Sequence, residues 1–470
     1  MDAASADRFA DGGNTATAEG GRGDRDEVGV PDLGMPDLRI PDLGILDLGG
    51  NDAGGDVTDV QDGNTGADAS SGQDESAGDV GDRPANPDGI SLIVDTGDAP
   101  DVGFANDGGG GSVGDRQDTS DLVAAEVATC TAYSPPDAGA VLPDNVQFIS
   151  GVTVTTIAGG PNPGTVDGEL GVGLFSNPVS VAIEPEGSLV VADFDTDRLR
   201  RVSVAGVIST LTNQSTFQRP FGLALLGSTL YAQTDADPNG DRGTTMGTLW
   251  RVDRTSGVAS VAAADIGQPR GFAALSDGRL VLSDFANQRV GIIDLTTDVT
   301  TDLAGLAGCP GSANGTGAEA RFLNPQGVAV LAGNRIIVAD REAHLLREIS
   351  LAGVVTSFAG DGVAGTVDGA RANARFLAPQ ALAADGNGAI FVSDVDAHRI
   401  RRIASDGTVS TVAGNGTAGF ADGSGQNAAF FGQEGLAVSA DGKTIYVADG
   451  TGGSDTPVPY HRLRKITLAP

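Results

Sequence analysis

The residues best placed to do chemistry lie in one short string. "DADPNGD" sets Asp235, Asp237, Asn239 and Asp241 at alternate positions with Gly240 sixth, the spacing of the calcium loop D-x-[DN]-x-[DN]-G. Alternating oxygens let a tight loop wrap a hard cation that takes six to eight oxygen ligands at about 2.3 to 2.6 Å, and the glycine permits the sharp turn. The twelfth position is Met246, where a complete loop carries a bidentate Glu. A calcium held here would therefore be incompletely caged, and structural in role. Without a ligand, the same residues are common turn formers and make a solvated polar loop.

Other catalytic-looking strings carry less. "GDGVAG" at Gly360 and "GNGTAG" at Gly414 satisfy G-x-G-x-x-G, but a dinucleotide site also needs the motif to open a helix, and here a further Gly-rich loop follows. "GGSVG" around Ser112 has no strand to strain its serine. "DGKT" at Asp441 lacks the earlier Gly of a phosphate loop and reads as a hairpin turn. His344, His398 and His461 are the chain's three histidines, and all stand at one position of a repeat.

That repeat defines the elements. "PVSVAIEPEGSLVVADFDTDRLRRV" from Pro178, "PQGVAVLAGNRIIVADREAHLLREI" from Pro325 and "PQALAADGNGAIFVSDVDAHRIRRI" from Pro379 are near copies, and a looser one starts at Gln433. The Asp ending each V-A/S-D run falls at 284, 340, 394 and 449, a fixed period that signals a repeat architecture. Within the unit from Pro379, Ala381 to Ala384, Ala389 to Ser393, Arg399 to Ile403 and Thr408 to Ala413 read as strands separated by "DGNG", "DVDAH" and "SDG" turns. Four antiparallel strands per unit make a propeller blade. Two degenerate units, with inner strands "FGLAL" at Phe221 and "GFAAL" at Gly271, fill the gap between Asp193 and Asp284 and bring the count to six. "GVTVTTIAGG" from Gly151 resembles the outer strands, so it should pair with the last blade, close the ring and cover an open edge.

With "VADREAHLLREI", "VSDVDAHRIRRI" and "VADFDTDRLRRV" in view, residues 146–470 resemble NHL-repeat proteins. The resemblance is strong for blades one, four, five and six; in blade two Thr234 stands where the Asp belongs. It implies an all-β, six-bladed propeller. Amidating lyases that share this repeat bind zinc, which would suit three histidines. Strands within a blade are about 4.8 Å apart, however, so equivalent turn positions lie roughly 10 Å from the axis and from one another. Zinc needs every ligand at about 2.1 Å. The histidines therefore read as polar turn residues. The recurring Asp193, Asp284, Asp340, Asp394 and Asp449 read as acceptors for backbone N–H groups in the turn after the second strand, with Arg198, Arg289, Arg399 and Arg462 on the blade surface.

Residues 1–145 are different material. They carry 31 acidic against 6 basic side chains and three aromatics, Phe9, Phe104 and Tyr133. Such a segment cannot bury enough apolar surface to offset its ordering entropy, so a disordered acidic stalk is expected. Its internal repeat "PDLGM PDLRI PDLGI LDLGG" favours an extended spacer. The propeller keeps the remaining charge of the total of −34 and is itself net negative, which argues against a nucleic-acid platform.

The chain has no run of 18 apolar residues to span a bilayer, and "MDAASADRFADGG" is not an export signal. A stalk ahead of such a ring nevertheless resembles bacterial envelope or secreted proteins, so an extracellular location is expected. Cys130 and Cys309 are either a disulfide or two free thiols. Function then falls to the ring's loop face, where Gly159 to Asn177, Ala304 to Asn324, Gly360 to Ala378 and Gly414 to Gly432 are the longest connections. The reading is a monomeric, non-enzymatic binding or scaffolding propeller, its protein, peptide or glycan partner on that face. The alternative is a metal-dependent hydrolase or lyase of the lactonase or amidating-lyase kind, for which inner strands such as "GVAVL", "ALAAD" and "GLAVS" offer almost no ligands.

Limited proteolysis of the full chain is expected to remove residues 1 to about 145 and leave a core beginning near Val146. An acidic region that resisted cleavage would contradict its composition.

Overall fold

A computed structural model describes Cys130 and residues 144–241, 247–452 and 458–469. The acidic stalk, apart from Cys130, Asp144 and Asn145, lies outside the described residues, and so does Met246.

Six antiparallel sheets stand around a common axis. Blade four shows the plan. Pro325–Leu331 lies innermost, followed outward by Arg335–Asp340, Leu345–Ile349 and Val354–Ala359. Pro suits the first position because a strand start has no ladder bond to lose there. Side chains alternate between the two faces of each blade, and the valines, isoleucines and leucines of facing blades interdigitate: Ile336, Val338 and Ile349 of blade four meet Val281, Val290 and Ile292 of blade three.

The closing strand behaves as expected. Val152–Gly160 pairs antiparallel with His461–Leu468 of the sixth blade. Residues just before it also grip blade five, where Gln147 O accepts from Thr411 N and Ile149 N donates to Thr411 O. The amino-terminal segment thus spans two blades before completing one of them.

The long connections are spent differently from expectation. Gly315–Thr316, Gly369–Ala370 and Gly423–Ser424 each add a short fifth strand to the outer edge of the next blade, on Val354–Ala359, Thr408–Ala413 and the closing strand respectively. The chain then turns inward through a fully buried phenylalanine, Phe322, Phe376 or Phe430, before starting the innermost strand. Much of each loop is therefore blade edge and blade core.

The arginines that matter are also not those expected. Arg200, Arg347, Arg401 and Arg464 are fully buried, and in blades one, five and six they lie two residues beyond Arg198, Arg399 and Arg462; of these, Arg399 and Arg462 are themselves buried and not on the blade surface as expected. Each donates from Nη1 to the Asp that ends the second strand, at 3.2, 2.9, 3.2 and 3.0 Å for Asp193, Asp340, Asp394 and Asp449. The same guanidinium bonds two carbonyls of the incoming loop, Arg321 O and Ala313 O for Arg347, and Arg375 O and Val367 O for Arg401. A second loop side chain completes the set: Asp167, Asn314, Asp368 or Asp422. Phe175, Phe322, Phe376 and Phe430 lie under the cations, 5.0–5.8 Å from centroid to guanidinium carbon. The aspartates do accept backbone N–H groups, but from the incoming loop: Ser176, Leu323, Leu377 with Ala378, and Phe431 with Gly432.

Removing one member of such a pair leaves a buried charge without its partner. Arg401→Met is expected to lower stability by about 3–5 kcal/mol, read as a lower urea midpoint, whereas a surface change such as Arg335→Met should move it by less than about 1 kcal/mol.

Candidate functional site

The channel along the axis is narrow because the innermost strands carry small residues. A Cβ at Gly327 would strike the backbone of Gln380 and Leu382 in blade five, and one at Gly435 the backbone of Val179 and Ser180 in blade one. The strands can approach closely only without those atoms. What remains is a cavity of about 110 Å³ lined by all six blades.

At its loop-side mouth each blade contributes the residue just inside the start of its innermost strand. In order these are Val179, Phe221, Arg270, Gln326, Gln380 and Glu434. Two are apolar and four are polar. The reading that the inner strands offer almost no ligands is corrected here: "GVAVL", "ALAAD", "GLAVS" and "GFAAL" each begin one residue past the polar side chain. The signal was in the sequence, as "PRG", "PQG", "PQA" and "QEG".

Arg270 is held by blade two. Its Nη1 and Nη2 donate to Asp235 Oδ1 and Oδ2 at 2.6 and 3.0 Å, and its guanidinium lies 4.4 Å from the ring centroids of both Phe221 and Phe285. Gln380, 6% exposed, donates from Nε2 to Glu434 Oε1 at 3.2 Å. Gln326, 5% exposed, donates from Nε2 to Asn324 Oδ1, and Asn324 in turn donates from Nδ2 to Glu342. That chain fixes the amide orientation, and Gln326 Oε1 is left buried without a partner, as is Glu434 Oε2. Glu434 keeps some surface toward the channel, but the sealed oxygen governs its charge. Burial pushes its carboxyl up to about 7, with the Gln380 amide, Arg341 and Arg270 opposing and Asp195 adding.

The structure sets the four residues of the sequence-predicted calcium loop in different hydrogen-bonded surroundings. Asp235 is buried and turned to Arg270 and Gln233. Asp237 accepts from the backbone N–H groups of Asn239 and Asp241 and from the Asn239 amide, which closes the loop on itself. Asp241 contributes its carbonyl to Asp237 N. Among the described residues, no three His, Cys, Asp or Glu side chains are gathered in a metal-binding arrangement.

The histidines join neighbouring blades. His344 Nδ1 lies 2.7 Å from Leu377 O and His398 Nδ1 lies 3.2 Å from Phe431 O, so each donates to the loop entering the next blade. His461 does the reverse, its Nδ1 accepting from Asn177 N of blade one at 3.1 Å. Burial holds His461 below its ordinary pKa. Asp197 fills the equivalent place in blade one and accepts from Arg219 N at 2.7 Å. Asp197, His344 and His398 sit at φ of 57, 56 and 50°, a left-handed turn that Asp, Asn and His tolerate best.

The two cysteines form a disulfide with Cα atoms 5.5 Å apart, closing 179 residues of sequence. It fastens Cys130 to the loop entering blade four.

Six four-stranded units closed by an amino-terminal strand define a six-bladed β-propeller. The NHL repeat family model matches residues 322–349, the end of the incoming loop and first three strands of blade four. NHL repeat-containing protein 2 of Bos taurus is 38% identical over 89 residues, 19% of this chain, and the match spans 12% of that relative's length. Among solved structures, an auxiliary nutrient binding protein from Bacteroides thetaiotaomicron is 20% identical with a TM-score of 0.54, covering 67% of this chain and 76% of that one. Its counterpart from Bacteroides ovatus is 18% identical at 0.53, covering 69% and 77%. These likenesses establish the fold.

Glu434 supplies a pH test. In the unfolded chain its carboxyl ionises near 4.3, whereas in the ring it holds its proton to about 7. Its cost to stability is therefore absent below the lower value, grows as pH rises between the two, and is constant above. Glu434→Gln should raise stability by about 1–3 kcal/mol at pH 8 and by much less at pH 5, measured by urea unfolding at both.

Proposed function

We propose that this chain is a binding propeller that captures its ligand on the loop face, with the channel mouth as the anchoring point. The observation that carries this reading is the ring Arg270, Gln326, Gln380 and Glu434, in which two buried oxygens keep unused hydrogen-bonding capacity. Polar groups converging on one concavity give orientation and selectivity to a bound molecule. The alternative of a metal-dependent hydrolase or lyase draws no support from a ligand cluster, since among the described residues no three His, Cys, Asp or Glu side chains are gathered. Propellers of this fold described as auxiliary nutrient binding proteins are in keeping with a binding role, although the likeness reaches no further than fold.

The disulfide also bears on location. A bridge between Cys130 and Cys309 persists in oxidising surroundings, which supports an extracellular or envelope setting. Among the described residues no helix is long and apolar enough to cross a membrane.

The test has two arms on the full-length protein. A panel of esters and lactones is incubated with and without calcium, and peptides, glycans, amines and organic acids are screened for a rise in melting temperature. The expected result is ligand-dependent stabilisation that Gln380→Leu weakens at least fivefold, with no turnover. Turnover above background, or stabilising ligands all indifferent to Gln380→Leu, would overturn the assignment.

A further inference from the structure

The channel mouth also indicates what kind of ligand it takes, an inference that rests on the binding reading above. Two acceptors, Glu434 Oε2 and Gln326 Oε1, are sealed from solvent and unpartnered, and both side chains line one cavity of about 110 Å³. The amide of Gln326 cannot flip, because its Nε2 donates to Asn324 Oδ1 and Asn324 Nδ2 to Glu342, so the unpartnered atom is the acceptor Oε1. The mouth thus asks for a hydrogen-bond donor.

Charge narrows the class. Glu434 feels Arg341, Arg270 and Asp195. Arg270 is already paired with Asp235 and Arg341 reaches Asp396 at 3.5 Å. The acids Asp195, Asp235, Asp396 and Glu434 outnumber the two arginines, so a cation is favoured over an anion. A divalent metal would want six or more oxygens, whereas the two oxygens here come from blades four and six and share their ring with a guanidinium. An ammonium carries three donors on one small charge. A guanidinium is larger, and its planar fork seeks paired oxygens on one group.

We propose that the mouth formed by Gln326, Gln380 and Glu434 is a site for a primary ammonium group presented from the loop face, either on a free alkylamine or on a lysine side chain. Glu434 supplies the counter-charge, Gln326 a second acceptor, and Gln380 holds the carboxylate in place through Oε1. Phe221 and Val179, both buried at the mouth, supply apolar surface beside it.

The site should work as a proton exchanger. With its carboxyl pushed up to about 7 in the free protein, Glu434 must give up a proton before it can hold a cation. Arg341, Arg270 and Asp195 face the same carboxyl, and the arginines favour that loss while Asp195 resists it. An alkylamine stays protonated to about pH 10, so binding should strengthen as pH rises through 7 and level off above 8.

The experiment is isothermal titration of the full-length protein with n-butylammonium and, separately, with an acetylated and amidated Gly-Lys-Gly peptide. At pH 8 at least one should bind with 1:1 stoichiometry, and the tighter of the two identifies the source. Affinity should fall about tenfold at pH 6, and at least tenfold in Glu434→Gln and in Gln326→Leu, whose folding is confirmed by circular dichroism and melting temperature. Tetramethylammonium, which has no donor, should not compete. No heat with either amine at pH 8, unchanged affinity in Glu434→Gln, or equal binding of tetramethylammonium would overturn the ammonium site. In those cases another ligand class whose binding responds to Gln380→Leu would leave the binding function standing, whereas ester or lactone turnover would remove it.

Discussion

A buried guanidinium recurs in four of the six blades, and the path of the chain between blades depends on it. The incoming loops must cross from an outer edge to the axis, and on the way they bury carbonyls such as Ala313 O, Val367 O and Ala421 O. A buried carbonyl without a donor costs roughly what a lost hydrogen bond costs. Arg347, Arg401 and Arg464 meet that demand with Nη1 and Nη2 while a carboxylate from the second strand balances the charge. The Asp in turn uses its other oxygen to fix the N–H groups of the same loop. Loop, second strand and third strand are thereby tied at one point in each of these blades. A buried ion pair is weak evidence of net stability, since desolvation offsets much of the attraction. Its effect here is to specify where the loop runs.

The two irregular blades obey the same rule by changing both partners. In blade two Thr234 and Trp250 occupy the Asp and Arg positions, and the indole Nε1 donates to the Thr hydroxyl at 2.8 Å. Phe217 packs on Trp250 with ring centroids 5.7 Å apart, much as the other phenylalanines lie under guanidinium groups. Both charges are gone together, so neither is stranded. In blade three Gly291 replaces the arginine, and Arg289 reaches Asp284 from two residues earlier at 3.1 Å while also pairing with Asp302. Departures from the repeat are thus coupled substitutions rather than decay.

Blade number, strand order and ring closure were legible because they rest on local chemistry: Val-rich runs, Asp-Gly turns and a period that places like residues in like environments. Thr234 was legible as a departure. Its partner Trp250 was not, because the pair is made across an insertion that breaks the spacing. The buried arginines were visible as a motif yet misplaced by two residues, since both members of "RLR" and "RIR" are basic and stand on one face of the strand, so alternation does not tell them apart. The long loops looked like free binding surface because Gly-rich sequence does not announce an edge strand of two residues. The histidines gave their position but not their role, which lies in the next blade, some 33 residues away for His344 and His398. The channel ring was missed for the plainest reason: single polar residues in four of the blades, each a full repeat apart, make no local pattern.

The features that build the ring and the features available for binding are consequently separate sets of residues. The repeat's acids, arginines and histidines are consumed in placing loops and joining blades, and they recur because every blade has the same loop to place. The mouth residues Val179, Phe221, Arg270, Gln326, Gln380 and Glu434 occupy equivalent positions, and apart from the two glutamines they differ in chemistry. A position that the fold requires should read alike in each blade, as the Asp–Arg pair nearly does. A position that reads differently in all but two of six copies, lies on the axis and keeps two buried acceptors without partners is constrained by something other than the fold. Close packing of the inner strands at Gly327 and Gly435 limits the space around it, so whatever meets these six side chains must be slender and must engage several blades at once.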